Sequence, residues 1–346
     1  MKKNILVTAV GGRSVGSGVL HALTRCSPEV KNRWNVIGAD AESFAWGLYK
    51  TPSSTLLPLA NSADYIDSVI KAVHQFKIDA IIPGSEAEAS VLSQNKDKFD
   101  APIIANSFNL MPLMMDKFAT TNKLVELGLP TIPMRKIEDW ESAVSEFGFP
   151  LIVKPTTGTG GSKGVSLCTT LVELKTIIQN LPVNSGYCVQ PLIGSDDEEY
   201  TVGILSDKNG NLVDSIVMKR KLIGLSLLDT KIVNDQKLSI STGYSQGFFI
   251  KHKQVQEFCE KLSANLESKG PLNIQLRIHK GEIYVFEIHP RFSGTTTMRA
   301  DVGFNEPDIL LRNYLFGETF SRLDYQYNVA AIRAFEHVIV PIDQML

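Results

Sequence analysis

The sequence predicts a protein that is α/β in its first third and α+β beyond it. Three observations carry this. Short apolar runs alternate with helix-period segments up to about residue 105. The character changes around Met111-Pro112. From Tyr200 onward strands dominate, with hairpin turns between them.

Asn4–Val10 is a short apolar run and reads as a buried strand. Gly11–Gly18 is a flexible turn, followed by helical periodicity through Val19, Leu20 and Leu23. Trp34–Ala39 and Ile78–Ile82 are further strands, the second ended by Pro83-Gly84. Ile103–Ala105 reads as a fourth. Ser62–Phe76 is a helix, apolar at Ile66, Val69, Ile70 and Val73. This alternation predicts a parallel, doubly wound sheet. Asp116–Gly128 reads as a helix stopped at Gly-Leu-Pro. Thr131–Lys136 is extended and Asp139–Phe147 helical. Leu151–Lys154 leads into a glycine-rich loop, and Val165–Cys168 returns from it as a hairpin-like flap. Leu171–Asn180 is a helix and Tyr187–Pro191 a strand. Strands follow at Thr201–Leu205, Leu212–Met218, Asn273–His279 and Ile283–Ile288, with turns at Asn209-Gly210 and Lys280-Gly281. Helices are expected at His252–Ser268 and Asp308–Leu315. No motif recurs, so no internal duplication is read.

The 346 residues are 43% hydrophobic, enough for two or three lobes with cores of their own. A formal net charge of −2 gives no electrostatic case for nucleic acid or an anionic membrane. No segment approaches the roughly 20 apolar residues of a membrane span. The apolar run after Met1 is too short for a signal peptide and is broken by Gly11-Gly12-Arg13. Cys26, Cys168, Cys188 and Cys259 are widely spaced, with no CxxC, and read as reduced thiols of a cytoplasmic protein.

Two segments carry chemistry. In Val285-Phe-Glu-Ile-His-Pro-Arg-Phe-Ser-Gly294, Glu287 and His289 lie two apart on a strand and point to one face. Arg291 follows a proline. An acid, a second potential ligand and a cation there would suit a metal ion held against a polyphosphate. In Ile152-Val-Lys-Pro-Thr-Thr-Gly-Thr-Gly-Gly-Ser-Lys-Gly164, the glycines let backbone amides approach phosphate oxygens, and Lys154 can neutralise one. The Gly-Lys-[Ser/Thr] ending of a Walker A loop is absent. The first lobe's Gly11-Gly-Arg-Ser-Val-Gly-Ser-Gly18, with Asp40 after it, matches a dinucleotide fingerprint only weakly, because the glycine spacing is wrong. A nicotinamide-dependent oxidoreductase would need the proper spacing. Glu86, in Ser-Glu-Ala-Glu88, faces the cleft or is an ordinary helix-start acid.

In this order, Lys-Pro with its glycine flap and Glu-x-His-Pro-Arg resemble the ATP-grasp superfamily, in its carbamoyl-phosphate-synthase-like branch. The resemblance covers essentially the whole chain. It implies an N-terminal Rossmann-like preceding domain over residues 1–113 and an ATP-grasp domain over 114–346. Within the latter it implies a small lid lobe at about 120–190 and an antiparallel-sheet core at about 191–346. By the resemblance, Lys117, Lys154 and the loop residues Gly158, Gly160, Gly161 and Ser162 bind ATP. Backbone groups near Gln190 and Leu192 hold the adenine edge, and Glu199, with Glu198 as fallback, holds the ribose hydroxyls. Gln275, Glu287 and His289 mark the site of Mg²⁺, with Mn²⁺ the alternative. The family usually has asparagine where His289 stands, which leaves ligand, hydrogen-bond partner and spacer open for it. Arg291 steadies the γ-phosphate, and of Lys219, Arg220 and Lys221 the favoured phosphate contact is Lys219. Arg299 is the candidate to grip a substrate carboxylate, a helix-face arginine being the alternative.

The implied reaction phosphorylates a small carboxylate, an amino acid among the candidates, and joins the acyl phosphate to an amine. The alternatives are an ATP-grasp carboxylase or carbamoyl-phosphate-type kinase acting on bicarbonate or carbamate, and a non-catalytic nucleotide-binding relative. A homodimer is compatible with this reading.

Overall fold

The computed structural model describes residues 2–12, 14–157, 163–182, 185–233 and 236–346. The N-terminal part runs β1 (Lys3–Val7), α1 (Val15–Thr24), α2 (Pro28–Arg33), β2 (Trp34–Asp40), β3 (Ser53–Leu56), α3 (Tyr65–Phe76), β4 (Ala80–Ile82) and α4 (Glu86–Gln94). The four strands form a parallel sheet in the order β3-β2-β1-β4. The predicted parallel sheet is therefore present, but its fourth member differs. Ile103 makes only an isolated bridge to Ile81. The true edge strand is β3, whose Ser-Ser-Thr-Leu is half-exposed and offers no apolar run to read. Helices start where small polar residues cap them: Ser14 accepts from Ser17 N, and Ser85 from Glu88 N.

The middle part comprises α5 (Met111–Met115), α6 (Lys117–Glu126), β5 (Arg135–Lys136), α7 (Trp140–Phe147), β6 (Leu151–Pro155), β7 (Ser166–Cys168), α8 (Leu171–Asn180) and β8 (Tyr187–Pro191). Its antiparallel sheet has the order β5-β8-β6-β7. Leu151, Val153, Cys168, Leu174 and Val189 give this small lobe its own core. Helix α6 belongs elsewhere by packing: its Leu124 joins the core of the large sheet.

That large sheet is built from β9 (Glu199–Ser206), β10 (Leu212–Arg220), β13 (Gly247–Ile250), β14 (Pro271–His279), β15 (Glu282–His289) and β16 (Val329–Ala331). Between them come the hairpin β11 (Leu227–Val233) and β12 (Gln236–Ser241), and helices α9 (Lys253–Asn265), α10 (Thr296–Asp301) and α11 (Glu306–Phe316). The order is β15-β14-β9-β10-β13-β16, antiparallel throughout. Lys280 and Gly281, at φ 51° and 82°, turn β14 into β15 as the sequence predicts.

Period-two alternation divides this sheet. On one face Val202, Ile204, Val217, Ile274 and Leu276 pack under Val255, Cys259 and Leu262 of α9. On the other, Leu205, Ile216, Met218 and Phe249 share a single core with Ile5, Val7 and Ile82 of the parallel sheet, with Val19 of α1 and with Phe292, Phe304 and Leu310. The four cysteines are free, and no helix among the described residues is long and apolar enough to cross a membrane.

Phe304 is wholly buried in the shared core, edge-on to Tyr325 at 5.4 Å. Phe304→Ala should cost about 3–5 kcal/mol in urea denaturation. A loss below about 1 kcal/mol would contradict a core common to both sheets.

Candidate functional site

The shared face of the large sheet changes character toward the N-terminal end of β9. There Glu199 and Thr201 from β9, Arg220 from β10, Asn273, Gln275 and Arg277 from β14, and Glu287 and His289 from β15 line one cleft. Register places them side by side: Gln275 lies between Thr201 and Glu287, Asn273 opposite His289, and Arg277 opposite Glu199. A bulge makes this possible. Leu276 pairs with Val285 and Gln275 with Glu287, so Phe286 is an extra residue. Val285 sits in the α9-side core. Without the bulge Glu287 would share that apolar face.

Glu287 accepts from Gln275 Nε2 at 2.8 Å and lies 2.9 Å from His289 Nε2. Burial would raise its pKa, but the hydrogen bond and charge of His289, with Lys117 and Lys154, hold it down at about 2. Lys154 lies near the end of β6 and faces the same cleft. Burial lowers its pKa and Lys117 adds to this, while Cys188 and Glu287 oppose. Lys117 opens α6, and its backbone N–H donates to Thr156 O at 2.9 Å, tying that helix to the end of β6. Arg291 donates to Phe292 O at 2.7 Å and pairs with Glu86 at the start of α4. Burial would raise the pKa of Glu86, but Arg291 and His289 outweigh it.

The cleft's other end is apolar, lined by Ile132, Ile152, Val165, Leu192, Ile240 and Phe286. Gln190 projects there from β8, 6% exposed, and its Oε1 is buried without a hydrogen-bond partner among the described residues. Hairpin β11–β12 closes this end. Asp196 accepts from Ser239 N at 2.9 Å, and Lys231 reaches Leu167 O at 2.7 Å and Glu173 at 2.9 Å.

The structure thus brings Lys154, Gln190, Leu192, Glu199, Gln275, Glu287, His289 and Arg291 to one cleft, with Lys117 near enough to act on its charges. Gly158, Gly160, Gly161 and Ser162 lie outside the described residues. Several of the expected site residues have protein partners of their own. Both oxygens of Glu199 are taken, one by Arg220 at 2.5 Å and the other by Arg277 at 2.9 and 2.6 Å. Burial would raise its pKa, yet the two arginines hold it below the usual carboxylate range. Glu199 thus accepts three bonds from two arginines inside the protein. Glu198 is more open but is engaged by Lys219 and Tyr200. The Leu192 amide is spent on Pro150 O at 3.1 Å, which leaves the Gln190 side chain as the open polar group beside it.

Lys219 points away from the cleft. It shares the α9-side face with Val217 and meets Glu198 at 3.2 Å over the Tyr200 ring. Arg220, one residue on, is the cation of that strand in the cleft. Arg299 is 1% exposed, bonded to Glu306 at 3.0 Å and to Asn273 Oδ1 at 2.6 Å. Gly203 makes room, since a Cβ there would lie 2.3 Å from Arg299 Nη1. Arg299 lies against the cleft-side face of the sheet, where it braces the lining residue Asn273 without itself lining the cleft. His289 Nε2 meets Glu287, and its Nδ1 lies 3.6 Å from Glu86. Sequence reasoning did not single out Asn273 or Arg277, although alternation from Gln275 points to both.

The metal test is favourable in chemistry and spare in ligands. Among the described residues no cluster of three or more His, Cys, Asp or Glu could hold a metal. Mg²⁺ bound largely through polyphosphate and water needs only one or two carboxylates, and the ionised Glu287 supplies one. Gln275 adds an amide whose oxygen now accepts from Arg220 at 3.3 Å.

Comparisons with known proteins agree with this geometry. Residues 195–336 match a family described as ATP-grasp in the biosynthetic pathway with Ter operon, and residues 5–105 match the PylC-like N-terminal domain. Over the first of these stretches the chain carries an ATP-grasp domain. Its ATP-grasp relatives include the carbamoyl phosphate synthase large chain of Clostridium acetobutylicum, 23% identical over 290 residues, covering 80% of this chain. The chain spans only 26% of that relative's length. Among solved structures, biotin carboxylase from Campylobacter jejuni has a TM-score of 0.66 at 18% identity, covering 94% of this chain and 74% of that one. The L-amino acid ligase of Bacillus licheniformis has a TM-score of 0.63 at 18% identity, covering 91% and 74%. These structural likenesses establish the ATP-grasp fold. ATP-grasp family members are ATP-dependent ligases and carboxylases.

Arg299→Ala would strand Glu306 in the interior and should cost about 3–5 kcal/mol by chemical denaturation. Unchanged stability would refute the bracing role. Glu287 has its pKa lowered from 4.5 to about 2. Its stabilising contribution is therefore full above pH 4.5 and lost as pH falls toward 2. Glu287→Gln should flatten the melting-temperature profile over that window, and an unaltered acid limb would contradict it.

Proposed function

We propose that this ATP-grasp chain is an ATP-dependent ligase that joins a small carboxylate to an amine. The observation that carries this is the ionised Glu287 set beside buried Lys154 and Arg291 in one cleft, with an apolar slot and an open acceptor, Gln190, at its far end. The slot suits a base and the charged end a polyphosphate. We assign Lys154, Lys117 and Arg220 to phosphate neutralisation, and Arg291, once released from Glu86, to the transferring phosphoryl group.

A carboxylate oxygen bonds to the γ-phosphorus as the bond to ADP breaks. The amine nitrogen then attacks the acyl carbon, phosphate leaves, and the nitrogen gives up a proton. Glu287 and Gln275 would hold Mg²⁺, or Mn²⁺ in its place; such an ion supplies charge neutralisation at the phosphates. The flap between β6 and β7 would cover the acyl phosphate, since that species hydrolyses in water. We further propose a division near residue 113, with the lobe of β5–β8 as the lid.

The likeness to an L-amino acid ligase supports this reading, and the likeness to biotin carboxylase supports a second, with bicarbonate in the carboxylate's place. A phosphate-release screen of amino acids, other carboxylates and amines with MgATP separates them. Turnover requiring a carboxylate and an amine together is expected, and Glu287→Gln should slow it at least about a hundredfold while leaving the circular-dichroism spectrum unchanged. Bicarbonate-stimulated release without an amine would favour the carboxylase. No release with any pair would refute a catalytic role.

A further inference from the structure

Arg220, Arg277, Arg291 and Arg299 each hold a glutamate: Glu199 for the first two, then Glu86 and Glu306. Arg333 differs. It lies two residues beyond β16, and its guanidinium is anchored by carbonyls. Nη2 donates to Gly294 O at 2.6 Å and Nε to Ser245 O at 3.3 Å. Both Gly294 and Ser245 line the cleft, and the Tyr244 ring lies 5.7 Å from the guanidinium carbon. Among the described residues no carboxylate lies in salt-bridge range of Arg333. Burial depresses its pKa, and Tyr244 opposes.

The position is built rather than incidental. The Arg333 backbone N–H donates to Gln246 Oε1 at 3.4 Å. Phe335 stands edge-on to Tyr244 at 6.4 Å, and Glu336 takes Arg25 in two bonds of 2.8 and 2.6 Å. A guanidinium held by carbonyls of two cleft-lining residues, with no carboxylate in range among the described residues, keeps N–H groups with which to take an anion that arrives with the ligand. Its planar fork suits a carboxylate.

We propose that Arg333 is the specificity-determining residue that grips a carboxylate group of the substrate at the cleft mouth, the task first expected of Arg299. The inference rests on the ligase reading only for the identity of the anion as a substrate carboxylate. Arg333 fixes where that group sits, and Arg291, just past the end of β15, remains with the phosphoryl group.

The test uses the full chain saturated with MgADP. Ligand-observed NMR titrations would screen the common amino acids, acetate and succinate against the matching carboxamides, with wild type, Arg333→Gln and Arg333→Lys. At least one carboxylate should bind wild type while its amide does not. Arg333→Gln should weaken it about tenfold or more, Arg333→Lys should recover part of the loss, and MgADP affinity should stay within about twofold. The inference is overturned if no carboxylate binds wild type, if Arg333→Gln binds it equally well, or if MgADP affinity falls in step. Should Arg333→Gln fail to fold, Arg333→Lys decides: carboxylate binding weakened severalfold at unchanged MgADP affinity supports the inference, and undiminished carboxylate binding overturns it. Arg333-dependent binding without phosphate release in the screen above would sink the ligase reading and leave this inference standing. Turnover with an unchanged KM for the carboxylate in Arg333→Gln would do the reverse.

Discussion

Everything at the site depends on the two faces of the six-stranded sheet being kept apart. One face is apolar and closed by α9. The other is apolar where it meets the parallel sheet and polar where it floors the cleft. A one-residue slip in a strand exchanges its faces. The bulge at Phe286 is such a slip used locally, because it leaves Ile283 and Val285 in the core and turns Glu287 and His289 to the cleft.

Charge in the cleft is arranged in layers. Glu199 is consumed by Arg220 and Arg277, and Glu306 by Arg299, below or beside the open surface. These pairs fix the floor geometry. Glu287, Lys154 and Arg291 face the cleft with partners that an entering polyphosphate could replace. The Glu86–Arg291 pair is the most exchangeable, since it joins the parallel sheet's α4 to the end of β15. Preorganisation of this kind favours developing charge over resting charge.

Much of this was legible in the sequence. Leu171–Asn180 and Tyr187–Pro191 fall where periodicity and apolar runs put them, and β14 and β15 differ from expectation by one or two residues. Glu287 was visible because an acid in an apolar strand is expensive without a task. What was not legible depends on partners distant in the chain. Strand β3 is an edge without an apolar signature, and β11–β12 pack against Ile152 of β6 and Leu167 of β7 and bond to Asp196. Lys219 and Arg220 are adjacent basic residues, and only the phase of β10 decides which one meets the cleft. Arg299 was misplaced for a similar reason: its depth follows from Gly203, which lies 96 positions earlier.

The core common to both sheets has a bearing on modular engineering. The stretches that known families match, 5–105 and 195–336, contribute side chains to one apolar interior. Expressed as a truncation, the first stretch would show water the side chains of Val7, Val19 and Ile82 that now share an interior with Leu205, Met218 and Phe292. Units of sequence recognition are here not units of autonomous folding, so grafting either stretch onto another scaffold requires carrying its partner's half of the interior along.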